Sequence, residues 1–119
     1  MFDFLKRLFT RRDPLSATVV VDDHGVSVRF SDGKVEAVAW SELTEVVMVT
    51  TDEGPFTEDV FFLLEGMNDT GCCVANGDPA SKELLQRLQK LQDFDNGKFI
   101  EAMGCAENAR FVCWRKKGA

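Results

Sequence analysis

Between Glu45 and Glu65 the chain holds two uninterrupted apolar runs, Val46-Val47-Met48-Val49 and Val60-Phe61-Phe62-Leu63-Leu64. The ten-residue connection between them is polar, and all of its charged residues are acidic. A strand wetted on one side alternates apolar and polar positions with period two. These runs do not alternate, so the pattern predicts a hairpin covered on both faces. Two covers must therefore come from elsewhere in the chain.

Met1 to Arg12, MFDFLKRLFTRR, reads as an amphipathic helix with Phe2, Phe4, Leu5, Leu8 and Phe9 on one side. Asp3, Lys6, Arg7, Thr10 and Arg11 share the other side, Arg12 breaks the pattern, and Asp13-Pro14 stops the helix. Alone, about three turns are marginal in water. The apolar side must dock, and two destinations compete. One is the chain's own sheet, which would make this helix the first cover. The other is an anionic membrane surface, met by Phe2, Phe4, Leu5, Lys6, Arg7, Leu8, Phe9, Arg11 and Arg12. Burying five large apolar side chains is worth roughly 7 to 15 kcal/mol at either place, so area does not choose.

Strands follow at 17–23 and 26–31, with His24-Gly25 turning between them, and a third at 34–40 after the Asp32-Gly33 hairpin signal. Trp40-Ser41-Glu42-Leu43 makes a corner with Trp40 and Leu43 both able to point inward, and a short strand at 72–75 pairs with the second apolar run. Asp78-Pro79 is a helix start, a capping side chain followed by proline. Its stripe Leu84, Leu85, Leu88, Leu91 makes 79–92 the second cover. A shorter helix near 97–104 and a strand at 109–114 end the pattern, with Phe111 and Cys113 on one face of the strand and Val112 and Trp114 on the other. The expected class is α+β, a strongly bent antiparallel sheet of six or seven strands. It forms one domain over 17–116, with 1–13 as the amphipathic N-terminal helix.

A chain of 119 residues suits one core. The formal net charge is −6, yet the charge is segregated. No basic residue stands between Lys34 and Lys82, an interval that carries a net charge of −10. Lys and Arg concentrate at the two ends. Nucleic acid would be repelled from such a middle, whereas a basic protein would be steered to it. The four cysteines show no C-x-x-C spacing, no secretory segment stands ahead of them, and no run has the length of a membrane span. The expected location is the cytoplasm, with membrane association through residues 1–12 as the alternative.

Few constellations point to chemistry. His24, the only histidine, sits in Asp22-Asp23-His24-Gly25, where Asp and His are also ordinary turn formers. Cys72 and Cys73 are adjacent in a strand and point to opposite faces, so they do not ligate one metal together. The acidic connection lacks the spacing of a calcium loop, and nothing in the chain supplies it with a nucleophile, a phosphate cradle or a cofactor site. It does place Phe56 among Asp52, Glu53, Glu58 and Asp59. An aromatic within a charged rim is the form of a protein-recognition surface; the plainer reading folds Phe56 down as a plug. The expectation is a non-enzymatic module that receives a basic protein on these five residues, as an inhibitor or immunity-type protein or an adaptor. The alternatives are a peripheral membrane module and a small enzyme using His24 or the acidic cluster.

The segments VAWSEL, DEGPFTEDVFFLL, LQDFDNGKFIEAM and ENARFVCWR resemble a family of small single-domain bacterial proteins of uncharacterised function, over roughly Ala17 to Arg115. The resemblance implies a bacterial cytoplasmic protein and brings no activity, cofactor or catalytic residue. A looser similarity is to pleckstrin-homology-like domains, in which a bent antiparallel sheet is closed by a helix, here the segment from Pro79 to Gln92. The further helix and strand that follow depart from that pattern.

Overall fold

The computed structural model describes residues 17–52 and 60–117. The expected N-terminal helix and most of the acidic connection lie outside them. Among the described residues seven antiparallel strands form two sheets, where the sequence suggested one bent sheet. The first has the order β1-β2-β3, with β1 at Thr18–Val21, β2 at Gly25–Arg29 and β3 at Val35–Ala39. The second has the order β6-β5-β4-β7, with β4 at Leu43–Thr50, β5 at Val60–Gly66, β6 at Gly71–Ala75 and β7 at Ala109–Arg115. A 3-10 turn at Trp40–Glu42 separates them and ends the β3 ladder before β4 begins. The strand content follows the apolar pattern. The break follows from that corner, which redirects the chain so that β4 pairs with β5 and β7 and not with β3.

Among the described residues there are two helices, α1 at Ser81–Leu88 and α2 at Asn96–Met103. The first is shorter than its apolar stripe suggested. Asp78 Oδ1 accepts from Ala80 N at 2.9 Å and the Ser81 N–H bonds to Asp78 O, so Asp78-Pro79-Ala80 is a turn ahead of the helix. Past Leu88 the amides of Lys90 and Leu91 reach back only three residues, and Asp93 adopts a φ of 68°, which no helix continues. Asp95 then caps α2, accepting from Lys98 N at 2.9 Å.

Strand alternation assigns the faces of the second sheet. Val46 and Met48 share one face with Phe62, Leu64, Cys72 and Val74. Glu45, Val47 and Val49 share the other with Phe61, Leu63, Glu65, Cys73 and Ala75. On the first face Phe99 of α2 stacks on Phe62, with ring centroids 6.1 Å apart. Val38 of β3 reaches the same face at Gly66, where a Cβ would come within 2.9 Å of Val38 Cγ2 and 2.5 Å of Thr70 Oγ1, so glycine lets the two sheets meet. Val26, Val28, Val38, Leu43, Leu84 and Leu88 join Phe62 and Met48 in the core. Burying a side chain of this kind is worth about 1.5 to 3 kcal/mol.

The faces of β7 differ from the expected alternation. The register against β4 shifts between Val46 and Val47, so Trp114 pairs with Val46 while Val112 pairs with Val47. Cys113 is the extra residue of a bulge. Phe111 and Trp114 therefore share the Phe62 face, and Arg110, Val112 and Arg115 share the face of Glu45.

Candidate functional site

The acidic end of the second sheet lies where β4 ends and β5 begins, paired there through Thr50 and Val60. Thr50 is buried, and its hydroxyl donates to Glu107 O at 2.6 Å, which ties the α2–β7 loop to this end. Glu107 and Asp52 are both exposed. Of the five residues expected to receive a partner, Asp52 is described and stands just beyond β4. Glu53, Phe56, Glu58 and Asp59 lie outside the described residues, as do the expected membrane contacts Phe2, Phe4, Leu5, Lys6, Arg7, Leu8, Phe9, Arg11 and Arg12.

The opposite end of the sheet holds a cluster that sequence reasoning missed. Glu45 and Glu65 are cross-strand partners, and Arg115 of β7 pairs with Glu45 on its other side. Arg115 places Nε 2.8 Å and Nη2 2.6 Å from Glu45 Oε2. Burial works to raise the Glu45 pKa, but its hydrogen bonds with Glu65 and Arg115 and the positive charges of Arg115 and Arg110 outweigh it and hold the group below the usual carboxylate value. Glu65 moves the other way. Its own burial, the hydrogen bond to Glu45 and the negative charge there push it up to about 7. The pair thus divides into an ionised Glu45 and a Glu65 that keeps its proton into the neutral range. Glu65 Oε2 is buried and has no hydrogen-bond partner among the described residues. The signal was present in the sequence: in a symmetric hairpin the two acids that flank the apolar runs must face each other.

Lys117 follows β7 and binds Asp93 at 2.7 Å, so two cations of the C-terminal segment are engaged at this end of the sheet. The distance from Glu45 to Thr50 along β4 is about 17 Å.

His24 lies in the β1–β2 turn, beside a shallow hollow of about 220 Å³ bordered by Asp22, Val26, Ser27 and Val38. Asp22 is committed to the turn. Its Oδ1 accepts from His24 N at 2.9 Å and Gly25 N at 3.1 Å, and those two backbone bonds hold its pKa below the usual value. Its backbone carbonyl accepts from Trp40 Nε1 at 2.7 Å, which ties the turn to the 3-10 corner. Arg87 of α1 binds the neighbouring Asp23 at 3.1 Å. The histidine therefore has a hollow beside it, but the Asp22 carboxylate is occupied in shaping the backbone and Asp23 is bound to Arg87.

The cysteines are free thiols. Burial pushes the Cys72 thiol up to about 12 and that of Cys113 up to about 11, and it drives Cys73 up as well. Thiols so protonated are poor nucleophiles at neutral pH. No group of three or more His, Cys, Asp or Glu suited to a metal ion occurs among the described residues. Among them, too, no helix is long and apolar enough to cross a membrane. Comparison of the chain with protein-family models, curated proteins and solved structures returns no match.

Proposed function

We propose that the protein is a non-enzymatic cytoplasmic binding module whose acidic sheet end, Asp52 with Glu53, Phe56, Glu58 and Asp59, receives a basic protein. An inhibitor or immunity-type protein, or an adaptor, would work in this way. One observation carries the reading: two C-terminal cations that could have neutralised this end, Arg115 and Lys117, bind Glu45 and Asp93 instead. The acidic middle of the chain contains no cation of its own, since none occurs between Lys34 and Lys82. Its field is thus available to steer a partner of opposite charge. The pleckstrin-homology-like resemblance belongs to the same proposal. Two antiparallel sheets with Leu84 and Leu88 of α1 buried in the core support it as an architecture, and it contributes no ligand.

The test uses an oligolysine peptide as the probe. Its association rate with the full chain is measured at about 20 mM and about 300 mM NaCl, where screening lengths differ severalfold. Steering predicts a fall of about tenfold or more. The variant Asp52→Asn, Glu53→Gln, Glu58→Gln, Asp59→Asn is expected to start slow and to lose most of the salt dependence. A rate equal at both salt concentrations, or equal in the variant, overturns the proposal.

A further inference from the structure

The sheet edges among the described residues are not alike. Every residue of β6 is buried, and β6 lies against β2 and β3. On β7 the bulge at Cys113 interrupts the edge, and the Asp95 N–H donates to Cys113 O at 2.7 Å. Glu36 of β3 stands opposite Val28 and shares its inner face, and an inward charge discourages a further strand. None of these devices protects β1: Thr18–Val21 holds no charge and no proline, and its register with β2 is regular. The Asp22 N–H bonds to Gly25 O at 3.0 Å, and bonded pairs alternate along an antiparallel ladder. Thr18 and Val20 are therefore bonded to Arg29 and Ser27, while Val19 and Val21 turn their N–H and C=O to the open side. Among the described residues no strand takes them.

We propose that β1 is a strand-addition site, which takes as a further strand of the first sheet an extended segment of a partner protein carrying lysine or arginine on both sides of a β-branched run. Charge selects this occupant. Asp22 and Asp23 follow the strand, and Asp78 borders one hollow with Ala17, Thr18 and Val19 at its start. The carboxylates of Asp22 and Asp78 accept from neutral backbone amides, those of His24, Gly25 and Ala80, which leave their charge intact. Asp23 is bound to Arg87, and Arg29 stands opposite Thr18 on β2, across β1 from the open side. Both ends of the open edge are thus acidic. A second copy of the chain fits badly there. With Val19 of one copy against Val21 of the other, Asp22 and Asp23 of the copy would come beside Asp78, and like charges brought together in a sheet destabilise it. A basic segment meets the opposite charge at each end, while the open backbone groups of Val19 and Val21 bond to it whatever its side chains. The site needs neither Asp52 nor the 53–59 connection, so it stands or falls apart from the reading above.

Hydrogen exchange of the backbone amides in the full chain, read residue by residue, decides the matter. The probe is a short peptide of alternating valine and threonine with lysines at both ends, which has the β-branched side chains that oligolysine lacks. At saturating peptide and low salt, exchange at Val19 and Val21 is expected to slow by about tenfold or more. Replacing the lysines by serine should weaken binding by about tenfold or more. The same peptide N-methylated at every valine and threonine offers no donor there and should leave both amides as they were. Unchanged exchange at Val19 and Val21 up to millimolar peptide, equal slowing by the methylated peptide, or equal binding of the serine peptide overturns the proposal. So does slow exchange at both amides in the dilute free chain, which would mean that the chain's own residues cover the edge. Slowing on concentration without peptide would give the edge to a second copy, and that too overturns it.

Discussion

At the Glu45 end of the four-stranded sheet two glutamates face each other across β4 and β5, with Arg115 bound to one of them. At the Thr50 end, about 17 Å away, Asp52 and Glu107 are exposed, and among the described residues no cation pairs with either. The residue type is the same, but the consequence differs with burial. Glu45 and Glu65 sit where water is scarce, so their charges had to be settled within the fold by a guanidinium on one and a retained proton on the other. Asp52 and Glu107 at the open end keep their hydration and cost the fold little.

The largest test of this contrast is the pH dependence of stability. The folded Glu65 pKa of about 7 lies above its ordinary value of 4.5. The folded state therefore holds a proton that the unfolded chain has released. The resulting stabilisation is full below the ordinary value and is lost as pH rises through about 7. Glu45 is shifted in the opposite sense, so its contribution is present above the ordinary value and is lost as pH falls. With allowance for solvent screening, the Glu65 decline amounts to about 2 kcal/mol. Urea midpoints across the pH range should show it, and Glu65→Gln should flatten it.

Next in size is Arg115→Ala, which leaves the buried Glu45 carboxylate without its guanidinium. Because Arg115 is itself 68% exposed, water replaces part of what is lost. The expected cost is about 1 to 1.5 kcal/mol at neutral pH, read from the urea midpoint. Thr50→Val removes the hydroxyl bond to Glu107 O and should cost about 1 kcal/mol. The smallest effect belongs to Asp52→Asn, within about 0.5 kcal/mol in stability. That variant is nevertheless expected to slow association with oligolysine, so the acid matters for binding and not for folding. A stability loss at Asp52 as large as that at Arg115 would erase the distinction between the two ends.

Much of this architecture was legible in the sequence. The uninterrupted apolar runs at Val46 and Val60 announced two buried strands, Asp32-Gly33 announced a hairpin, and Gly33 indeed adopts a φ of 88° in that turn. Cys72 and Cys73 point to opposite faces and are both buried, as a strand covered on both sides requires. The division into two sheets was not legible, because hydrogen-bond partners between strands leave no mark on period-two alternation. Nor was the bulge at Cys113, since ARFVCW reads as regular alternation and only pairing with β4 reveals the extra residue. At the candidate site the acidic charge of the connection was visible at once. The Glu45–Glu65 pair needed the hairpin register, which the flanking positions of the two acids already implied.

The contrast between the two ends is tested most directly by following backbone amide shifts in the full chain while the oligolysine peptide is titrated in at low salt. The account predicts shifts confined to Thr50, Asp52, the 53–59 connection and Glu107, disappearing when salt is raised. Shifts centred on Glu45, Glu65 and Asp93, or spread evenly over the exposed acids of both sheets, would contradict it.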